Sequence, residues 1–156
     1  METQAVEIIE NEVVLEEARS LNHSRLIHRI SMALLPYEEQ YDILPELEFE
    51  LSAGRLKPDV ALLPRQQYDY RRDVLRVVQP PVTAIEILSP TQSFDYLVGK
   101  IQDEYLTSGV QSAWLVLPRV GNIYLFLPGQ PPQVFTSGLL RDPATQIEIN
   151  LDTLFR

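Results

Sequence analysis

Cysteine is absent from this 156-residue chain, which excludes disulfides and any thiolate metal site. Long apolar runs are missing too. No stretch approaches the roughly 18 apolar residues that a membrane-spanning helix needs. The opening METQAVEIIENEVV lacks the basic start and apolar centre of a secretory signal. A cytoplasmic location away from membranes is the expectation. Positive charge is scarce: 13 Lys and Arg stand against 22 Asp and Glu, for a net charge of −9. That argues against a broad basic surface for nucleic acid, though not against a basic patch confined to a cleft. Repeats, low-complexity stretches and interdomain linkers are lacking as well. Residues 1–156 therefore read as a single domain, long enough to bury a real core.

What is present is an α/β pattern of ordinary apolar content, 45%. Residues 5–17 predict a hairpin around Glu10-Asn11, with Val6, Ile8, Val13 and Leu15 alternating. A helix is expected from about His23 to Leu35. Leu26, Ile27, Ile30, Ala33 and Leu34 fall on one face, Ser20 or Asn22 caps it, and Pro36 stops it. His23, Arg25, His28 and Arg29 crowd about two turns of that helix. They read either as a solvated face or as a patch turned to phosphate. Residues 43–51, ILPELEFEL, alternate apolar and acidic and predict one half-buried strand; residues 56–63 return antiparallel. The polar stretch 64–79 holds Arg65, Arg71, Arg72 and Arg76 with Tyr68 and Tyr70. Arginine among aromatics suits phosphate contact and base stacking, and it equally suits a surface loop.

Residues 82–88 are apolar on both faces and predict a central strand. A helix follows over 93–108, ended by Gly109; then come a strand at 114–117, a turn at Gly121-Asn122, a strand at 123–127 and an edge strand at 133–136. Residues 147–151 alternate again.

Two acids stand out in this frame. Glu86 interrupts the apolar central strand, and Asp59 follows Pro58 at the start of the return strand. An acid after proline is commonly just a turn or strand-end residue. A carboxylate inside a buried strand, in contrast, is costly unless it is paired, hydrogen-bonded or bound to metal. Lys100 borders the inner stripe of the second helix, where it either pairs with Glu104 or faces the acids. Two strand-borne carboxylates and a lysine are the minimum kit for metal-assisted phosphodiester cleavage.

The pieces KPDVALLP at 57–64, PPVTAIEILSPTQSFD at 80–95, Lys100, Tyr105 and GVQSAWLVLP at 109–118 occur in a telling order and spacing. In them the sequence resembles the Uma-two family of restriction endonucleases within the PD-(D/E)XK superfamily, from about Val6 to Phe126. The resemblance implies a restriction endonuclease-like core: a mixed central sheet flanked by helices, with an N-terminal hairpin and a C-terminal β-hairpin extension. It implies a metal-dependent DNA endonuclease, and duplex cleavage implies a homodimer. Asp59 corresponds to the acid of the PD element and Glu86 to the second acid. Leu88 stands where the superfamily motif has its lysine, and Lys100 corresponds to a lysine that has moved to the following helix. Asp59, Glu86 and the backbone carbonyl of Ile87 would bind Mg²⁺ or Mn²⁺, with Lys100 orienting the attacking water. Glu48 is a further candidate ligand, although its alternation turns it outward. His23, Arg25, Arg29, Arg65, Arg71 and Arg72 are the candidates for DNA contact. Leu117-Pro118 replaces the Asp-Pro frequent in the family, at a structural position. An inactive interaction module and a small-molecule phosphodiesterase on the same scaffold are the rival expectations.

Overall fold

The computed structural model describes residues 19–156; the hairpin expected over residues 5–17 lies outside them. The first described element is helix α1 (Leu21–Leu34). The Ser20 hydroxyl caps it by accepting from the His23 amide, and Leu26, Ile30 and Leu34 bury one face. The helix ends through a 3₁₀ turn, Leu35–Tyr37, that contains Pro36.

The stretch 43–51 is two strands rather than one. Strand β1 (Tyr41–Pro45) stops where Glu46 takes a left-handed φ of 55°. Strand β2 (Phe49–Leu51) then pairs with β3 (Gly54–Leu56) in a separate small hairpin. The cause is a conflict of partners. β1 pairs along its length with β4 (Val60–Pro64), whereas Phe49 and Leu51 belong to the core that contains Leu97 and Tyr105. One residue at positive φ redirects the chain between the two tasks. The Glu46 amide donates to the Asp59 carbonyl at 3.0 Å, so the bend is anchored beside a candidate acid.

The central strand β5 (Thr83–Ile87) is followed by helix α2 (Phe94–Lys100), capped by the Ser93 hydroxyl. A π-helical turn, Ile101–Tyr105, and a 3₁₀ turn, Leu106–Ser108, continue α2 until Gly109 closes it at φ 102°. Strands β6 (Ser112–Leu117), β7 (Asn122–Phe126) and β8 (Gln133–Phe135) follow. A C-terminal hairpin of β9 (Leu139–Arg141) and β10 (Glu148–Asn150) leads to a final helical turn, α3 (Leu151–Leu154).

The main sheet runs β1-β4-β5-β6-β7-β8. Every neighbouring pair is antiparallel except β5 and β6. A parallel pair needs a crossover, and α2 with its extension provides it. β5 and β6 are buried from end to end, as central strands covered on both faces should be. One core holds Ile30, Ile85, Ile87, Trp114, Leu140 and Leu154, joining α1, the sheet and the C-terminal extension. The other holds Phe49, Ala84, Leu97, Ile101, Tyr105 and Leu115. Strand alternation decides the rest: Ile85 and Ile87 face α1, so Ala84 and Glu86 face α2. Asp142 ties the extension to the sheet. Its Oδ2 accepts from Ser112 Oγ at 2.6 Å and Trp114 Nε1 at 2.8 Å, and its Oδ1 from the Ala144 amide at 2.9 Å.

Candidate active site

The β4–β5 ladder runs from Leu62↔Thr83 to Val60↔Ile85. One further step sets Asp59 against Glu86. At that step the side chain takes over from the backbone: Asp59 Oδ2 accepts the Ile87 amide at 2.7 Å. The N–H and C=O of a strand residue face the same edge, so the Ile87 carbonyl is turned to the Asp59 side. The Leu88 amide goes the other way, to the Val116 carbonyl at 2.9 Å.

Asp59 and Glu86 are both buried, at 5% and 4% exposure. His23 reaches Asp59 from the first turn of α1, with Nε2 3.1 Å from Oδ1. An ionised carboxylate only accepts hydrogen bonds, so Nε2 carries the proton of this bond. Among the described residues, Nδ1 of His23 is the single buried side-chain polar atom with no partner. Glu86 is held from the other face of the sheet. Its Oε2 accepts from the Tyr105 hydroxyl at 2.5 Å and lies 3.3 Å from Lys100 Nζ. That ammonium also sits 5.8 Å from the centroid of the Tyr105 ring.

Burial pushes the Glu86 carboxyl up to about 7; Lys100 pulls the other way, and the neighbouring Asp59 carboxylate adds to the rise. The Tyr105 phenol is raised far above its ordinary value by burial and by Glu86, so it remains a donor. Lys100 pairs with Glu86 and not with Glu104, which settles the alternative left open by helical spacing.

The structure thus brings together Asp59, Glu86, Lys100 and the Ile87 backbone. The candidates for DNA contact are arranged differently. His23, at 4% exposure, stands in the buried cluster beside Asp59 and in the wall of the neighbouring cavity. Arg25 donates to the Arg156 carbonyl and Arg29 to that of Thr153, so both serve the chain's own C-terminus. Arg65 leaves the end of β4 opposite Asp59, about 20 Å away along the strand, and donates to the Glu38 carbonyl. Arg71 is exposed and pairs with Asp69, and Arg72 is exposed. Glu48, the weaker ligand candidate, pairs with Arg76 at 2.8 Å and Arg55 at 3.8 Å. Tyr105 is among the residues that carry the family resemblance, but nothing in the sequence gives it a place in the site.

Among the described residues, no group of three or more His, Asp or Glu side chains is disposed to share a metal. Two carboxylates and a backbone carbonyl are nonetheless hard oxygen donors, and they fit a cation such as Mg²⁺ that keeps several of its waters. Burial, and to a lesser extent the neighbouring Asp59 carboxylate, disfavour the charge on Glu86, and a cation bound there would offset both. Beside the cluster a cavity of about 600 Å³ opens, with His23, Asn22, Ser89, Gln92 and Arg119 in its wall. None of the helices over the described residues is long and apolar enough to cross a membrane.

Residues 1–153 match the model of the family described as "Uma2: Putative restriction endonuclease". The fold is similar to a crystal structure from Anabaena variabilis ATCC 29413, described as "a putative nuclease belonging to DUF820". The similarity has a TM-score of 0.72 over 87% of this chain and 81% of the other, at 22% identity. At that identity the likeness establishes the fold. No curated protein gives a match.

Proposed function

Because the chain belongs to the Uma2 family of restriction endonucleases, we propose that it hydrolyses DNA phosphodiester bonds at Asp59, Glu86 and Lys100 with the help of a divalent metal ion. One observation carries this: two buried carboxylates meet where β4 and β5 part, with a lysine ammonium 3.3 Å from one of them. A fold does not need such a costly group of charges in its interior.

Asp59, Glu86 and the Ile87 carbonyl would hold the ion, Mg²⁺ or Mn²⁺. When bound, it lowers the pKa of a coordinated water and neutralises charge growing on the phosphate. The chain's own groups do the rest. His23 fixes Asp59 through Nε2, and the Ile87 amide fixes the other oxygen. Lys100 orients the attacking water and faces the developing negative charge. Its long stem lets it serve from a helix, since reaching the phosphate matters more than holding one slot in sequence. Arg71 and Arg72, exposed on the 64–79 loop, would contact the DNA backbone. Cutting both strands takes two sites, so the reading includes a homodimer.

Thermal unfolding with and without Mn²⁺ tests the site, on the wild type and on Glu86→Ala. The expected stabilisation is about 2.7 kcal/mol at a hundredfold excess over Kd, lost in the variant and accompanied by nicking of supercoiled plasmid. A light-scattering mass of one chain in the same samples would refute the dimer. Absence of any shift in the wild type would sink the metal site and leave an inactive interaction module. Metal binding with hydrolysis of small phosphodiesters but intact plasmid would point to the small-molecule enzyme.

A further inference from the structure

Lys100 and Tyr105 are five residues apart, yet both reach the same oxygen of Glu86, the ammonium at 3.3 Å and the hydroxyl at 2.5 Å. On a regular α-helix, side chains at that spacing point about 140° apart. The turn between them is not regular. Over Ile101–Tyr105 the helix is π-helical, and the Leu106 amide bonds back to the Ile101 carbonyl. A π-turn closes between i and i+5, and its wider winding brings side chains five apart nearer to one face than an α-turn does. Before the turn, α2 is ordinary helix: the Ile101 amide reaches the Leu97 and Val98 carbonyls. The change of winding therefore falls between the two residues that converge on Glu86. π-turns inside α-helices are uncommon and gather at functional sites.

We propose that Tyr105 is a positioning residue for cleavage: set over Glu86 by the π-turn, its hydroxyl fixes the orientation of the carboxylate that holds the metal. The inference rests on the metal-dependent reading above. It is carried by what the hydroxyl does and does not do. The ring, fully buried beside Leu97 and Ile101, fills the core as a phenylalanine would. The hydroxyl adds one thing only, a short bond to Glu86 Oε2. That bond leaves the carboxylate a single orientation, with Oε2 engaged by Tyr105 and Lys100 together. Partners of this kind, standing behind a metal ligand, commonly govern metal affinity.

Tyr105→Phe removes the hydroxyl and keeps the ring. The test is Mn²⁺ titration by calorimetry into the full chain, for the wild type, Tyr105→Phe and Glu86→Gln. All three are held well below their unfolding temperatures, and plasmid nicking is followed at saturating Mn²⁺. The wild type should bind, Glu86→Gln should not, and Tyr105→Phe should bind about 10- to 100-fold more weakly and nick more slowly. Unchanged affinity and rate in a folded Tyr105→Phe overturns the positioning role and leaves the nuclease reading standing. Failure of the wild type itself to bind overturns both. A second measurement needs no variant. The Tyr105 hydroxyl proton, held in a short buried bond, should give a slowly exchanging downfield proton resonance that moves when Mg²⁺ is added. A resonance indifferent to Mg²⁺ counts against the role.

Discussion

Glu86 concentrates the chemistry of the site in one carboxyl group. Burial raises it from its ordinary 4.5 to about 7, against the pull of Lys100 and with the push of Asp59. The folded chain therefore keeps a proton that the unfolded chain releases between these two values. Stability from this group is complete below about pH 4.5 and is lost as the pH rises through about 7. The loss is on the order of 3 kcal/mol for a shift of this size at a fully buried group. Without metal, the wild type should lose this much relative to Glu86→Gln as the pH rises from about 4.5 to about 7, as read from urea midpoints at each pH. A difference independent of pH would mean that Lys100 and Tyr105 already hold the carboxylate ionised. At this scale the sequence was informative for strand residues and not for helix ones. The apolar neighbours of Glu86 single it out, whereas the proline before Asp59 suggests only a strand end, and Asp59 stands out through the resemblance of its KPDVALLP segment. His23 sits in a first helical turn, where sequence spacing does not say whether a side chain looks to solvent or across to the next strand. It stands in sequence beside Arg25 and Arg29, which donate to the carbonyls of Arg156 and Thr153.

Elements were legible where a period and a stop coincide. The caps and the proline framed α1, and the doubly apolar run marked β5. Two breaks of winding left no trace in the pattern. The acidic alternation of 43–51 passes straight through Glu46, because a single left-handed residue does not disturb a period of two. Likewise Leu97, Ile101 and Tyr105 keep a four-residue spacing whether the turn is α or π. Gly109, in contrast, was correctly read as a helix end, and the structure adds a second reason for it. At φ 102° a Cβ would lie 3.2 Å from Cγ of Pro80, so both conformation and space select glycine. Gly109→Ala should cost more than about 1 kcal/mol, measured by urea unfolding, because it strains the turn that closes the π-helical segment. An unaltered midpoint would show that the residue tolerates a side chain there and that the left-handed cap is dispensable.

Across the whole molecule, the site lies where one end of the sheet is gripped from both faces, by His23 of α1 on one side and by Lys100 and Tyr105 of the second helix on the other. The net charge of −9 did not forecast such a place, because composition averages over a surface while two carboxylates and a lysine act locally. The C-terminal extension is a separate matter. It meets the sheet through Asp142, fully buried and accepting from Ser112 and Trp114. Trp114 is the chain's one tryptophan, so its emission reports on this junction. Asp142→Ala leaves the indole N–H short of an acceptor, a loss of about 1–3 kcal/mol for a buried group, whereas the Ser112 hydroxyl can still turn to Thr83 Oγ1 at 2.7 Å. The variant should unfold at lower urea and emit further to the red as the hairpin loosens, while its stabilisation by Mn²⁺ persists because Asp59 and Glu86 are untouched. Unchanged stability and emission would mean that Leu140, Ile149 and Leu154 hold the extension by packing alone. Loss of the Mn²⁺ effect would mean instead that the site depends on the extension through β6, the strand that carries Trp114 and pairs with the strand of Glu86.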